Sequence, residues 1–237
     1  MTIDFLYIFF ILISLLIYWF SLFIVKKEVS FWTNKKIAQK TCKPKFIWIV
    51  ICIIFSIFYF IFWKYDPFFN HTNKNVLTPV EFGFLCFWVA FHISLAQIDF
   101  FLKLLPYRLT VLLNVMGLIF NSFFGKLGFF YSLFSGILAF TLLYGISKTI
   151  EFLKKNKSPP IGFGDFLYIS SIGIWVGFYN LMFVLFFASL SMIMIFFFFN
   201  KSLNWKKNTP IPFGPSLSIS SLLFGGIYFF NSGEMIL

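Results

Sequence analysis

Charge is scarce in this 237-residue chain: 11% of its residues are charged, and only eight are acidic. A soluble domain carries roughly 25% charged residues, so this one has too little polar surface to fold in water. Cysteine is scarce as well. Cys42, Cys52 and Cys86 are too few and too scattered for a disulfide framework or a paired-cysteine metal site. They read as small, soft packing residues. Segments of about ten residues alternating in polarity are missing, which excludes a membrane β-barrel. No solenoid-type repeat occurs, and no linker is long enough to separate independent globular domains.

What is abundant is apolar bulk. Sixty per cent of the residues are hydrophobic, 41 of the 237 are Phe, and the mean hydropathy is +0.90. Apolar runs of 18 residues or more recur, each about long enough to cross a hydrocarbon core. The fold class is therefore all-α, a polytopic membrane protein of about eight transmembrane helices. Spans are predicted at 4–25, 46–63, 80–98, 107–124, 129–147, 162–178, 180–199 and 213–231. They form an N-terminal two-helix region, 1–79, with a short basic loop, and a membrane domain, 80–237. The first span lacks a small-residue cleavage site and reads as a retained helix.

The net charge of +11 invites a nucleic-acid reading, but its distribution opposes one. The loops 26–45, 99–106, 148–161 and 200–212, with Arg108, hold sixteen of the nineteen Lys and Arg residues. Lys64, Lys74 and Lys126 are the remainder. Such a bias follows the positive-inside rule and places the basic loops in the cytoplasm and both termini outside. The positive charge orients the chain, and those loops can also attract anionic lipid heads. No nucleic-acid partner is expected.

Six of the acids, Asp4, Glu28, Asp66, Glu81, Glu151 and Glu234, lie in loops or at span ends. Asp99 and Asp165 differ. Asp99 ends the run "FGFLCFWVAFHISLAQI", and Asp165 stands three residues into the apolar run after "SPP". Both are predicted at the cytoplasmic edge of the membrane, where burying a charge is costly, and two acids at one depth point to a shared site. Singly, each has a plainer explanation: Asp165 can cap a helix starting at Phe166, and Asp99 can be an ordinary interfacial acid. Their neighbours argue otherwise. Gly162 and Gly164 flank Phe163 before Asp165 and allow another backbone to approach. Pro106 suits the first turn of a new helix, leaving Asp99 in a short re-entrant break. His92, two turns before Asp99, is expected to be a hydrogen-bonded packing residue.

Three blocks then resemble one family, the type IV prepilin peptidases, which are membrane aspartic proteases of the GxGD class. They are "IDFFLKLLPYRLTVLLNVMGLIFN" (98–121), "IGFGDFLYISSIGIWVGF" (161–178) and "IPFGPSLSISSLLFGG" (211–226), in the family's order, within a stretch of about 80–231. The resemblance implies that Asp99 and Asp165 are the catalytic pair and that the substrate is a prepilin or pseudopilin. The leader of that substrate would be cut at the cytoplasmic face of a bacterial inner membrane. Pro106, the Gly162–Gly164 turn and Pro212 within "PIPFGP" would break helices at that depth. Irregular backbone is tolerated there where it lines a wet cavity, so these residues are expected to receive substrate.

The departures are specific. Leu167 stands where the family commonly has Lys, and Phe101 where it often has a second acid. Bifunctional members carry four cysteines in two CxxC pairs after the first span and also methylate the new N-terminus, using S-adenosylmethionine. Here the loop 26–45 offers Cys42 alone, whereas a tetrahedral thiolate zinc site needs four ligands. Cleavage without methylation, with no metal and no cofactor, is the expectation. The rival readings are an ion-coupled transporter, which intramembrane acids and broken helices also serve, and a non-catalytic assembly factor of the same fold. Both acids lie at one edge and no inverted repeat is evident, which opposes transport; a leader-cleavage assay separates all three.

Overall fold

The computed structural model describes residues 19–20, 22–28, 79–125, 127–154, 162–203 and 212–230. Among them no strand occurs. Beyond a short helical piece at 22–28 there are five helical runs: α1 (Pro79–Leu102), α2 (Tyr107–Phe123), α3 (Gly128–Lys154), α4 (Phe163–Leu203) and α5 (Gly214–Phe230). They cover the six predicted spans from 80 onward. The predicted span 46–63, most of the span 4–25, Cys42, Cys52 and most of the loop 26–45 lie outside the described residues. By its contacts the chain divides into a unit of residues 1–94 with 229–237 and a unit of residues 95–228, which contains both Asp99 and Asp165.

Gly83–Leu102, Gly128–Leu153 and Phe163–Met194 are long and apolar enough to cross a membrane, and Tyr107–Phe123 is a shorter apolar helix. This is a membrane protein built from helices. The third stretch has 32 residues, more than the ~20 that one crossing needs. Its interior explains the excess. Gly177 has φ 81° and ψ 159°, which no helix accommodates and which a side chain would strain. A Cβ on Gly173 would lie 3.3 Å from the Leu181 side chain, although eight residues of straight helix span about 12 Å. Tyr168 and Met192 both touch the first turns of α5, through Ser218 and Ser216. The run α4 is therefore a hairpin of two helices, 163–176 and 178–203. The boundary predicted at residue 179, between the spans 162–178 and 180–199, is found two residues earlier, at Gly177.

A helix that doubles back strands carbonyls where its hydrogen-bond ladder stops, and apolar neighbours cannot satisfy them. Asn121 of α2 does. Its Nδ2 donates to the carbonyls of Ile174, at 2.7 Å, and Trp175, at 3.4 Å, just before the break. Asn114, seven residues earlier on α2, donates to the Leu167 carbonyl at 3.2 Å. Trp175 returns a bond from Nε1 to the Leu113 carbonyl at 2.9 Å, and its ring stacks on Phe120. Ser170 donates across to the Gly136 carbonyl of α3 at 3.0 Å. Thus α4 packs on α2 and α3, which also touch each other.

Three boundaries differ from expectation, each for a local reason. The helix α1 continues past Asp99 to Leu102, so Asp99 is helical and does not sit in the re-entrant break. Lys103 ends the helix with φ 54°, and its N–H closes on the Asp99 carbonyl at 2.8 Å. The break is the short segment 103–106. Next, α4 begins at Phe163, so Asp165 lies in its first turn, not at a cap before Phe166. Finally, α3 runs beyond 147 to Lys154, taking Lys148 and Glu151 into the helix, where they pair at 2.8 Å.

Candidate active site

The two aspartates come from different helices and are held in the same way. Asp99, in the last turn of α1, is 5% exposed. Its Oδ2 accepts a 2.7 Å hydrogen bond from the Gly214 N–H at the start of α5. That N–H is one of the unpaired donors at a helix N-terminus, where the helix dipole also favours an anion. Only glycine fits there: an added Cβ would lie 2.8 Å from Asp99 Oδ2.

Asp165 is half-buried. Its Oδ2 accepts from the Gly162 N–H at 3.1 Å, while its own N–H donates to the Gly162 carbonyl at 3.1 Å. This is the half of a capping box that the third helical residue supplies, with a backbone bond where the cap side chain would be. Asp165 therefore does cap α4, but with one oxygen. An ionised carboxylate offers about four acceptor positions. Among the described residues neither Asp99 nor Asp165 takes a protein hydrogen bond on Oδ1.

The two carboxyls are near enough that the charge of Asp165 acts on Asp99. Lys103 and Tyr168 also lie within electrostatic reach of Asp99. Two acids this close do not ionise together cheaply and can share one proton.

The other sequence-predicted residues lie on the connections around the acids. Pro106 is buried and extended, with φ −70° and ψ 118°, and immediately precedes α2. The Leu105 carbonyl just before it presses on Gly164: a Cβ there would be 2.5 Å from that oxygen. The close backbone approach expected at Gly164 is thus made by the chain itself. Gly162 is exposed beside Asp165, and Pro212 is buried two residues before Gly214. The structure accordingly brings Gly164 to the 103–106 segment, and Asp99 to the turn that Pro212 enters. His92 is fully buried, with Nδ1 2.9 Å from the Trp88 carbonyl in its own helix, as a packing residue would be.

Sequence reading missed Gly214, Lys103, Tyr168 and Ser218. The "PFGP" motif marks Gly214 as a helix break, but nothing in it names Asp99 as the partner. No three His, Cys, Asp or Glu side chains converge to hold a metal among the described residues.

No solved structure matches this chain. Several bacterial proteins named "Prepilin leader peptidase/N-methyltransferase" do. That of Escherichia coli (strain K12) is 29% identical over 146 residues, covering 62% of this chain and 64% of the relative. That of Aeromonas hydrophila is 30% identical over 141 residues, covering 58% and 47%. That of Legionella pneumophila is 32% identical over 145 residues, covering 60% and 48%. The matches thus span between about half and two thirds of those relatives. A family-level match covers residues 84–198, with Asp99 and Asp165 inside it and the block 211–226 outside. Over residues 84–198, the stretch that holds both aspartates, this chain is similar to the type IV leader peptidase family.

Proposed function

We propose that this chain is a membrane aspartic endopeptidase that removes the leader of type IV prepilins or pseudopilins at the cytoplasmic face, with Asp99 and Asp165 as its catalytic pair. One observation carries the reading. Two acids from separate helices, the charge of Asp165 acting on Asp99, each have Oδ2 held by a backbone N–H. Such a pair can hold one proton between two carboxyls. The ionised member takes a proton from water as that water attacks the scissile carbonyl. The protonated member hydrogen-bonds the carbonyl oxygen and then protonates the leaving amine. This chemistry calls on no cofactor. Gly162, Gly164, Pro106 and Pro212 shape the surrounding connections into which the leader would enter.

The prepilin itself would arrive as an apolar helix in a bacterial inner membrane, its leader on the cytoplasmic side. The basic loops and external termini set that orientation. Cysteines placed at 155–160 should react only with reagents that enter the cytoplasm, and those at 70–74 with impermeant ones; reversed labelling puts the aspartates on the wrong face.

The named relatives are also N-methyltransferases. For this chain we infer cleavage alone, because the loop 26–45 contains Cys42 and no second thiolate. Co-expression with a prepilin, followed by mass analysis of its N-terminus, tests both claims. The expected product has lost its leader and carries no added methyl group. An intact leader overturns the peptidase reading, and a one-methyl increment overturns the second.

A further inference from the structure

One buried polar contact in the residue 95–228 unit serves neither carboxylate directly. Tyr168 of α4 is fully buried, and its hydroxyl lies 2.6 Å from Ser218 Oγ of α5, itself 2% exposed. Several other hydroxyls in this unit bond a carbonyl of their own helix, as Ser122, Ser135, Thr141 and Ser189 do. The Tyr168–Ser218 bond instead joins two helices. A polar tie of this kind sets the register of helices whose other contacts are apolar, because apolar surfaces slide without losing a specific partner.

The positions of the two residues give the tie its consequence. Tyr168 stands three residues after Asp165, almost one helical turn. Ser218 stands four after Gly214, whose N–H holds Asp99 Oδ2. One bond therefore links the helix that carries Asp165 to the helix end that holds Asp99. Asp99 also acts electrostatically on Tyr168 itself.

We propose that Tyr168 and Ser218 are positioning residues: their hydrogen bond sets α4 against α5 and so fixes where Asp165 stands relative to Asp99. The consequence for cleavage rests on the leader-peptidase reading above; the consequence for helix register does not. Acid–base chemistry is sensitive to such placement, since a shift of about 1 Å can cost on the order of a hundredfold in rate. A tie one turn away controls a fraction of that shift.

The test uses the full chain in lipid nanodiscs with a prepilin substrate. Tyr168→Phe and Ser218→Ala are each expected to lower kcat about tenfold with KM within twofold, which is the pattern of a group acting only on the chemical step. Ser218→Thr, which keeps the hydroxyl, should stay within about threefold of wild type. The double variant should be no worse than either single, because both remove one tie. A second readout needs no cleavage. With Cys42, Cys52 and Cys86 replaced by Ser, spin labels at Phe163→Cys and Ile219→Cys report the distance between α4 and α5. Tyr168→Phe should broaden or shift that distribution.

An unchanged distribution overturns the proposal, whatever the activity. So does a kcat within twofold of wild type for both single variants. A loss that follows the folded fraction with unchanged kcat per folded molecule also overturns it. If wild type leaves the leader intact while the labels still shift, the peptidase reading fails and the register role stands.

Discussion

From Phe166 to Val176, α4 is buried almost without interruption. From Tyr179 to Phe197 it exposes Tyr179, Met182, Phe183, Phe186, Leu190, Ile193, Met194 and Phe197. Both halves are strongly apolar, so hydropathy does not tell them apart; lipid tails are as apolar as a Leu-rich core. The difference lies in small and polar residues. In the first half, Ser170 donates across to α3. A Cβ on Gly173 would sit 3.2 Å from the Ser135 carbonyl and 3.4 Å from Ala139, so the glycine lets α3 come close. In the second half, Ser189 and Ser191 return their hydroxyls to the carbonyls of Leu185 and Ala188 in their own helix. Hydroxyls turned inward on their own helix leave a surface suited to lipid, whereas those that reach across make a helix specific to its neighbours.

The sharpest way to test that contrast is at the chemistry proposed for the first half. Asp165→Asn or Asp99→Asn is expected to slow leader removal by roughly 10²–10⁴-fold, the range of acid–base catalysis. The protein should still insert, and the double variant should be about as slow as either single. Substantial processing by a well-inserted single variant would remove the pair from the mechanism.

The next comparison sets one aromatic from each half side by side. Trp175 is fully buried on Phe120, whereas Phe186 is 62% exposed. Trp175→Ala should destabilise by about 3–5 kcal/mol. Phe186→Ala should stay within about 0.5 kcal/mol, because lipid refills the space. Unfolding titrations in mixed micelles measure both, and equal losses would mean that protein covers the second half as well.

A smaller effect is expected at the junction. Gly177→Ala forces a side chain into a left-handed backbone and should cost about 1–3 kcal/mol in the same titration. A gain in stability would show that the hairpin does not need its turn.

The smallest effect belongs to the residue that closes that turn. Asn121→Leu leaves the Ile174 carbonyl without its 2.7 Å donor, and should cost about 0.6–2 kcal/mol. No loss at all would place water or another donor at that carbonyl.

Composition alone settled that the chain is helical and membrane-bound, because a bilayer offers backbone groups no partners and only helices or closed barrels satisfy them internally. Run lengths and the Pro and Gly positions placed the helices from residue 80 onward, with ends off by up to seven residues, at Lys154. Scarcity singled out Asp99 and Asp165, since an acid is costly at membrane depth wherever the fold puts it. Tertiary structure decided the rest. Gly214 follows Asp99 by more than a hundred residues, and no periodic pattern announces that its N–H will hold that carboxylate. Whether the space above Gly164 admits substrate or the chain's own Leu105 carbonyl depends on how α2 enters the bundle. Tyr168 and Ser218 look like any aromatic and any small residue in a span until α4 and α5 lie side by side. Local sequence encodes which groups a helix must bury; which partner each meets is set by packing between segments distant in the chain, and that packing has no one-dimensional signature.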